Sequence, residues 1–176
     1  MGNTKGIIPE VINNYNVYKE GNALIGVSGE VSLAEFQSVT DTISGPGLLG
    51  EIETVVIGMF QSMKQEIPFR ILDDDVFTMA NPRTVQELTL RAAEQVTDKG
   101  SGGIVFKGMR VVFRGRPSSF KPGTIKQGAQ MGASVTLELT YVLIEIDGEV
   151  KLELDKLNSI YKIAGKDIMG EVSKLC

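Results

Sequence analysis

Residues 134–155 read SVTLELTYVLIEIDGEVKLELD, and the fold class turns on them. From Ser134 to Tyr141 apolar and polar side chains alternate without a break. Val135, Leu137, Leu139 and Tyr141 fall on the inward face, and Thr136, Glu138 and Thr140 on the outward one. A period of two marks a strand with one face buried and the other solvated. After Tyr141 the phase slips, because Val142 and Ile144 take the face of Glu138. A β-bulge or a change of covering layer accounts for such a slip. Asp147-Gly148 then separates this run from a second alternation, Val150, Leu152 and Leu154 against Lys151, Glu153 and Asp155. That dipeptide between alternating runs is the strongest short-range hairpin signal.

Strand patterning spreads outward from this hairpin. Residues 104–115 predict a long strand with Val105, Met109, Val111 and Phe113 on one face, followed by a loop over 116–128 that holds two prolines. Upstream, 85–96 predicts another strand, joined to it through the flexible turn 98–103. Residues 65–72 alternate with Ile67, Phe69 and Ile71 on one face, and a short helix begins after Asp73 and stops at Asn81-Pro82. Residues 51–62 are apolar enough to be covered on both faces, and 36–44 form a polar strand. Near the start, 15–19 and 23–31 make a hairpin about Glu20-Gly21-Asn22. A strand ends near Ile163, and 167–175 close the chain as a short helix. With no internal repeat or linker, the 176 residues predict one mainly-β domain, 1–14 being an N-terminal arm and 166–176 a C-terminal tail.

Composition excludes several function classes. There is no histidine, so the commonest general base and the commonest zinc ligand are both missing. The lone cysteine, Cys176, can make neither an internal disulfide nor a thiolate metal site, and fits a reducing compartment. No nucleophile elbow, P-loop or dinucleotide fingerprint stands in the sequence. Asp73, Asp74 and Asp75 are consecutive, whereas a calcium loop alternates its acids; capping the helix that follows is the better reading. These absences leave a carboxylate enzyme possible on paper, but capping is the better role for Asp73, Asp74 and Asp75. No apolar run approaches the roughly 20 residues of a membrane span, and the first residues lack a signal-peptide pattern, so no stable membrane association is expected.

Several strands exceed the usual five or six residues while keeping one polar face. Long open edges invite pairing with another chain, and a ring of subunits sharing a barrel removes them. A monomeric β-sandwich with blunted edges reads equally well from pattern alone.

A resemblance separates the two. Gly45-Pro46-Gly47-Leu48-Leu49-Gly50, after Val31-Ser32-Leu33, resembles the glycine-punctuated loop of the major tail tube proteins of contractile-tailed phages. Val111-Val112-Phe113-Arg114-Gly115-Arg116 is similar to the family's strand running into its hydrophilic loop, and Lys126-Gln127-Gly128 to the loop exit. Thr140-Tyr141, Asp147-Gly148 and the run Asp155-Lys156-Leu157-Asn158-Ser159-Ile160-Tyr161-Lys162 resemble its C-terminal hairpin in order and spacing. The likeness covers residues 15–170, without a match over 61–83.

The resemblance implies a structural protein that is not an enzyme, with no bound cofactor and no metal. It implies a β-sandwich or split barrel with a small helix, whose long hairpins join six subunits into one barrel. Stacked rings then form the inner tube of a contractile tail or a phage-tail-like bacteriocin. Its partners would be other copies, a sheath protein, and baseplate, spike and tube-terminating proteins, with DNA passing unbound. The chain would be made in the bacterial cytoplasm and reside in the virion tail or tail-like particle. A type VI secretion tube ring has the same architecture, and a monomeric ligand-binding β-sandwich is the alternative of a different class. On the tube reading, Gly45 to Gly50 supply a subunit interface, with Leu48 and Leu49 at the tip. Thr136, Glu138 and Thr140 line the channel, with Glu51 and Glu53 as further candidates.

Overall fold

The computed structural model describes residues 6–23, 26–27 and 29–176. Eleven strands and two short helices are described: β1 (Ile7–Lys19), β2 (Asn22–Ala23), β3 (Ser38–Ile43), β4 (Ile52–Phe60), β5 (Lys64–Phe69), α1 (Asp74–Met79), β6 (Gln86–Asp98), β7 (Ile104–Lys121), β8 (Ala133–Ile146), β9 (Glu149–Asp155), β10 (Ile160–Ile163), β11 (Lys166–Asp167) and α2 (Gly170–Leu175). The main antiparallel sheet runs β11-β10-β9-β8-β7-β6-β1-β2, and β3 pairs with β4 in a sheet of their own. Among the described residues the single chain closes no barrel. The mainly-β expectation holds.

The decisive stretch is the hub. One edge of β8 pairs with β7 along its length. The other edge is shared: β5 takes residues 133–138, and β9 takes 141–146. Val135 and Leu137 are fully buried and Leu139 nearly so, as the alternation predicts. The bulge falls at Thr140, since Arg114 opposes Tyr141 while Gly115 opposes Leu139. It comes before Tyr141, so the expected inward position of Tyr141 is corrected: its ring lies under Arg114 on the polar face, and Val142 continues the core. Gly115 is required there, because a Cβ would stand 2.3 Å from the Glu138 carbonyl oxygen.

Around β8 the core gathers Met63, Ile67 and Phe69, then Leu88 and Leu90, Val111 and Phe113, and Leu154. Each such side chain contributes roughly 1.5–3 kcal/mol of burial. Helix α1 adds Val76 and Met79. Asp73 caps it, accepting the Val76 N–H at 3.0 Å, while Asp74 and Asp75 occupy the first turn near the positive end of the helix dipole.

Several sequence expectations need correction. Ile71 is exposed, because the strand stops at Phe69 and the Arg70 N–H turns to the Gly26 carbonyl. The stretch 116–128 is not all loop: β7 continues to Lys121, and a register shift between Pro117 and Ser119 gives the proline a bulge, where a missing N–H is tolerated. Val105 and Val150 are exposed although they alternate in phase with buried Val111 and Leu154, the second because a bulge shifts the register between Ile144 and Glu145. Among the described residues of 23–31, Ala23 alone lies in a named strand and Val27 makes a single bridge to Phe69; Leu24, Ile25 and Ser28 lie outside the described residues. The stretch 29–37 is held to the sheet by buried Gln65, whose amide donates to the Ser32 carbonyl and whose oxygen accepts the Ala34 N–H. Within the expected arm 1–14, residues 7–14 pair with β6 through two bulges.

Candidate assembly surfaces

Two surfaces of this molecule stand out, an exposed apolar arm and a polar sheet face. The first is the β3–β4 arm. Its strands are exposed along most of their length, including Ile43, Ile52, Val55, Ile57 and Met59. A two-stranded ribbon is marginally stable alone, so this arm depends on what holds its root and what covers its apolar residues. At the root, Phe60 packs edge-on between Phe36 and Tyr161 at centroid distances of 6.3 and 5.1 Å, and the Gln61 N–H reaches the Gln37 carbonyl. Gly58, with φ +77, sits against Met169 so closely that a Cβ would lie 2.1 Å from its sulfur.

The six residues Gly45, Pro46, Gly47, Leu48, Leu49 and Gly50 come together at the arm's tip and are all exposed. A turn closes there, the Leu48 N–H donating to the Gly45 carbonyl at 3.1 Å. Glu51 and Glu53 also stand on the arm, Glu53 accepting from the Thr40 hydroxyl at 2.6 Å. They lie on a different sheet from Thr136, Glu138 and Thr140. Those three are half-buried on β8, and the Glu138 carboxylate is already engaged by the Ser62 hydroxyl at 2.6 Å and the Met63 N–H at 3.2 Å.

The second surface is the polar face of the long strands, opposite the core. Arg114 bonds Glu87 through Nε and Nη2 at 2.9 and 2.7 Å and lies 5.0 Å over the Tyr141 ring. The Tyr141 hydroxyl donates to Glu153, which also faces Lys162 at 3.6 Å. Burial, then the charge of Glu153, pushes the Tyr141 phenol above its usual range. Further along the strands, Arg91 and Arg110 oppose each other; Arg110 pairs with Glu145 at 2.7 Å and Arg91 stacks on Tyr18. Cross-strand registry makes this ladder, and no local motif announces it.

The exposed apolar arm and the long ion-paired sheet face suit a structural protein. Comparison with known proteins sharpens this. Residues 9–175 match the family described as phage tail tube protein FII. The chain therefore belongs to the phage tail tube protein family, whose members are structural and not enzymes. It is 26% identical to the major tail tube protein of Serratia phage KSP20, over 92% of this chain and 91% of that protein. It is also 26% identical to the tail tube protein of Escherichia phage P2, over 91% of this chain and 92% of that one. The fold matches a chain in a cryo-EM structure described as an extracellular contractile injection system, PVC sheath/tube terminator in the extended state. That match has a TM-score of 0.54 at 12% identity, over 78% of this chain and 96% of the other.

Proposed function

We propose that this tail tube subunit forms hexameric rings that stack into the hollow inner tube of a contractile phage tail or phage-tail-like particle. The exposed apolar arm carries the reading. A soluble monomer rarely leaves so many contiguous apolar side chains uncovered, and such patches mark contact sites. A contact that closes on itself gives a ring, and one that does not gives a filament. Its partners are other copies, a sheath protein and the proteins that begin and end the tube. Its place is the tail, after synthesis in the bacterial cytoplasm.

The tip Gly45 to Gly50 supplies the stacking contact. Thr136, Glu138 and Thr140 face the channel, with Glu51 and Glu53 as lesser contributors. A second placement of the wall, the Glu87–Arg114–Tyr141–Glu153 ladder, is favoured by the prior engagement of Glu138 with Ser62 and Met63. In that ladder Arg114 is matched by Glu87 and Lys162 by Glu153, which limits the salt-dependent capture of phosphates by free cations. Negative-stain microscopy of the purified chain tests assembly, with stacked rings expected. A monodisperse monomer at every concentration would defeat the reading, and a map of the tube decides which part of the polar face lines the channel.

A further inference from the structure

Resting on the tube reading, we propose that the leucine tip of one subunit's arm seats in an apolar groove on the core face of another copy. The groove opens where β1, β6 and β7 run beyond the covered part of the core. Leu90, Met109 and Val111 lie deepest in it; Ile12, Val31 and Leu33 form its rim. Its volume is about 150 Å³. A dry apolar cavity of about that size holds a benzene-sized group, so a leucine side chain fits.

Among the described residues no charged side chain lines the groove, and Tyr15 is its one lining residue with a polar side chain, so its occupant is apolar. Leu49 is the most exposed large apolar side chain among the described residues, and Leu48 stands beside it. The root of the arm is fixed by Phe36, Phe60 and Tyr161, and its own Leu49 is left in the open. The leucine that fills the groove therefore comes from another copy. Because knob and socket are different surfaces of one chain, the contact is heterologous and repeats from subunit to subunit.

The test uses the full chain with Cys176→Ser, which removes the native thiol. Leu33→Cys and Leu49→Cys together should give intersubunit disulfides in oxidised tubes, absent from either single variant. Leu33→Asp and Leu49→Lys, both at exposed positions, should each raise the concentration needed for tube growth roughly tenfold or more, and their combination should restore growth. Circular dichroism of the unassembled variants checks that they fold. Normal growth with Leu33→Asp overturns the socket, as does cross-linking of Leu33→Cys to Ile125→Cys, at another exposed apolar side chain, instead of to Leu49→Cys; both leave the tube reading standing. Failure of the unmodified chain to form tubes defeats the tube reading itself.

Discussion

The central hairpin of β7 and β8 and the arm of β3 and β4 are made of similar material, alternating antiparallel strands rich in valine, leucine and isoleucine. Their environments are opposite. β8 is paired on both edges and packs Val135, Leu137 and Leu139 into the core, whereas Val55, Ile57 and Met59 of the arm stand in solvent. The difference teaches that this chain uses its apolar residues in two ways: one set folds the subunit, and the other stays exposed, which is the set the tube proposal draws on.

The sharpest way to break that division is truncation at matched sites. Phe113→Ala should destabilise the subunit by about 3–5 kcal/mol, because a nearly fully buried ring leaves a cavity. Val55→Ala on the arm should stay within about 0.5 kcal/mol. Urea denaturation of both measures this, and equal losses would place the arm inside the folding core.

Gly115→Ala comes next, at roughly 1–3 kcal/mol, since its methyl group would enter the Glu138 backbone at the Thr140 bulge. A loss of only a few tenths in thermal unfolding would show that the hub shifts more freely than its double pairing suggests.

Asp155 sharpens the comparison at the far edge of the hub. Burial pushes its carboxyl up, but hydrogen bonds from the Asn158 side chain and the Asn158 and Leu157 N–H groups outweigh this and hold it below the usual aspartate range. Its contribution is therefore full above the unfolded value of about 3.9 and is lost as the pH falls through the lower folded value. Asp155→Ala should cost about 1–3 kcal/mol at neutral pH. That difference from the parent chain should shrink below about pH 4, which unfolding across pH 3–7 would show.

The smallest expected effect on stability belongs to the tip. Leu48→Ser with Leu49→Ser should leave subunit unfolding within about 0.5 kcal/mol of the parent while tube growth fails. Growth at the parent's concentration, followed by light scattering, would remove the tip from the stacking contact.

Much of the fold was legible because burial follows local periodicity. The alternation at Val135, Leu137 and Leu139 gave the core face, and the phase slip marked the bulge to within a residue. Asp73 declared the helix start. Where prediction failed, distant partners decided. Ile71 keeps the alternation of Ile67 and Phe69, but the chain has already turned toward Gly26. Pro117 reads as a loop residue until the register with Leu137 supplies its bulge. The exposed tip was visible in its glycines. The Glu87–Arg114 pairing was not, because strand registry brings together residues 27 apart in sequence.

The forked edge of β8 also bears on the order of events as the chain folds. β9 follows β8 through a two-residue turn and can pair at once, whereas Lys64 of β5 must find Glu138 across a much longer loop, whose closure carries the greater entropy cost. Native contacts of that separation form slowly. Because the root of the arm ends where β5 begins, the tip is aimed only once this pairing has formed. Pulse-labelled hydrogen exchange during refolding should find β8–β9 amides protected before those of β5.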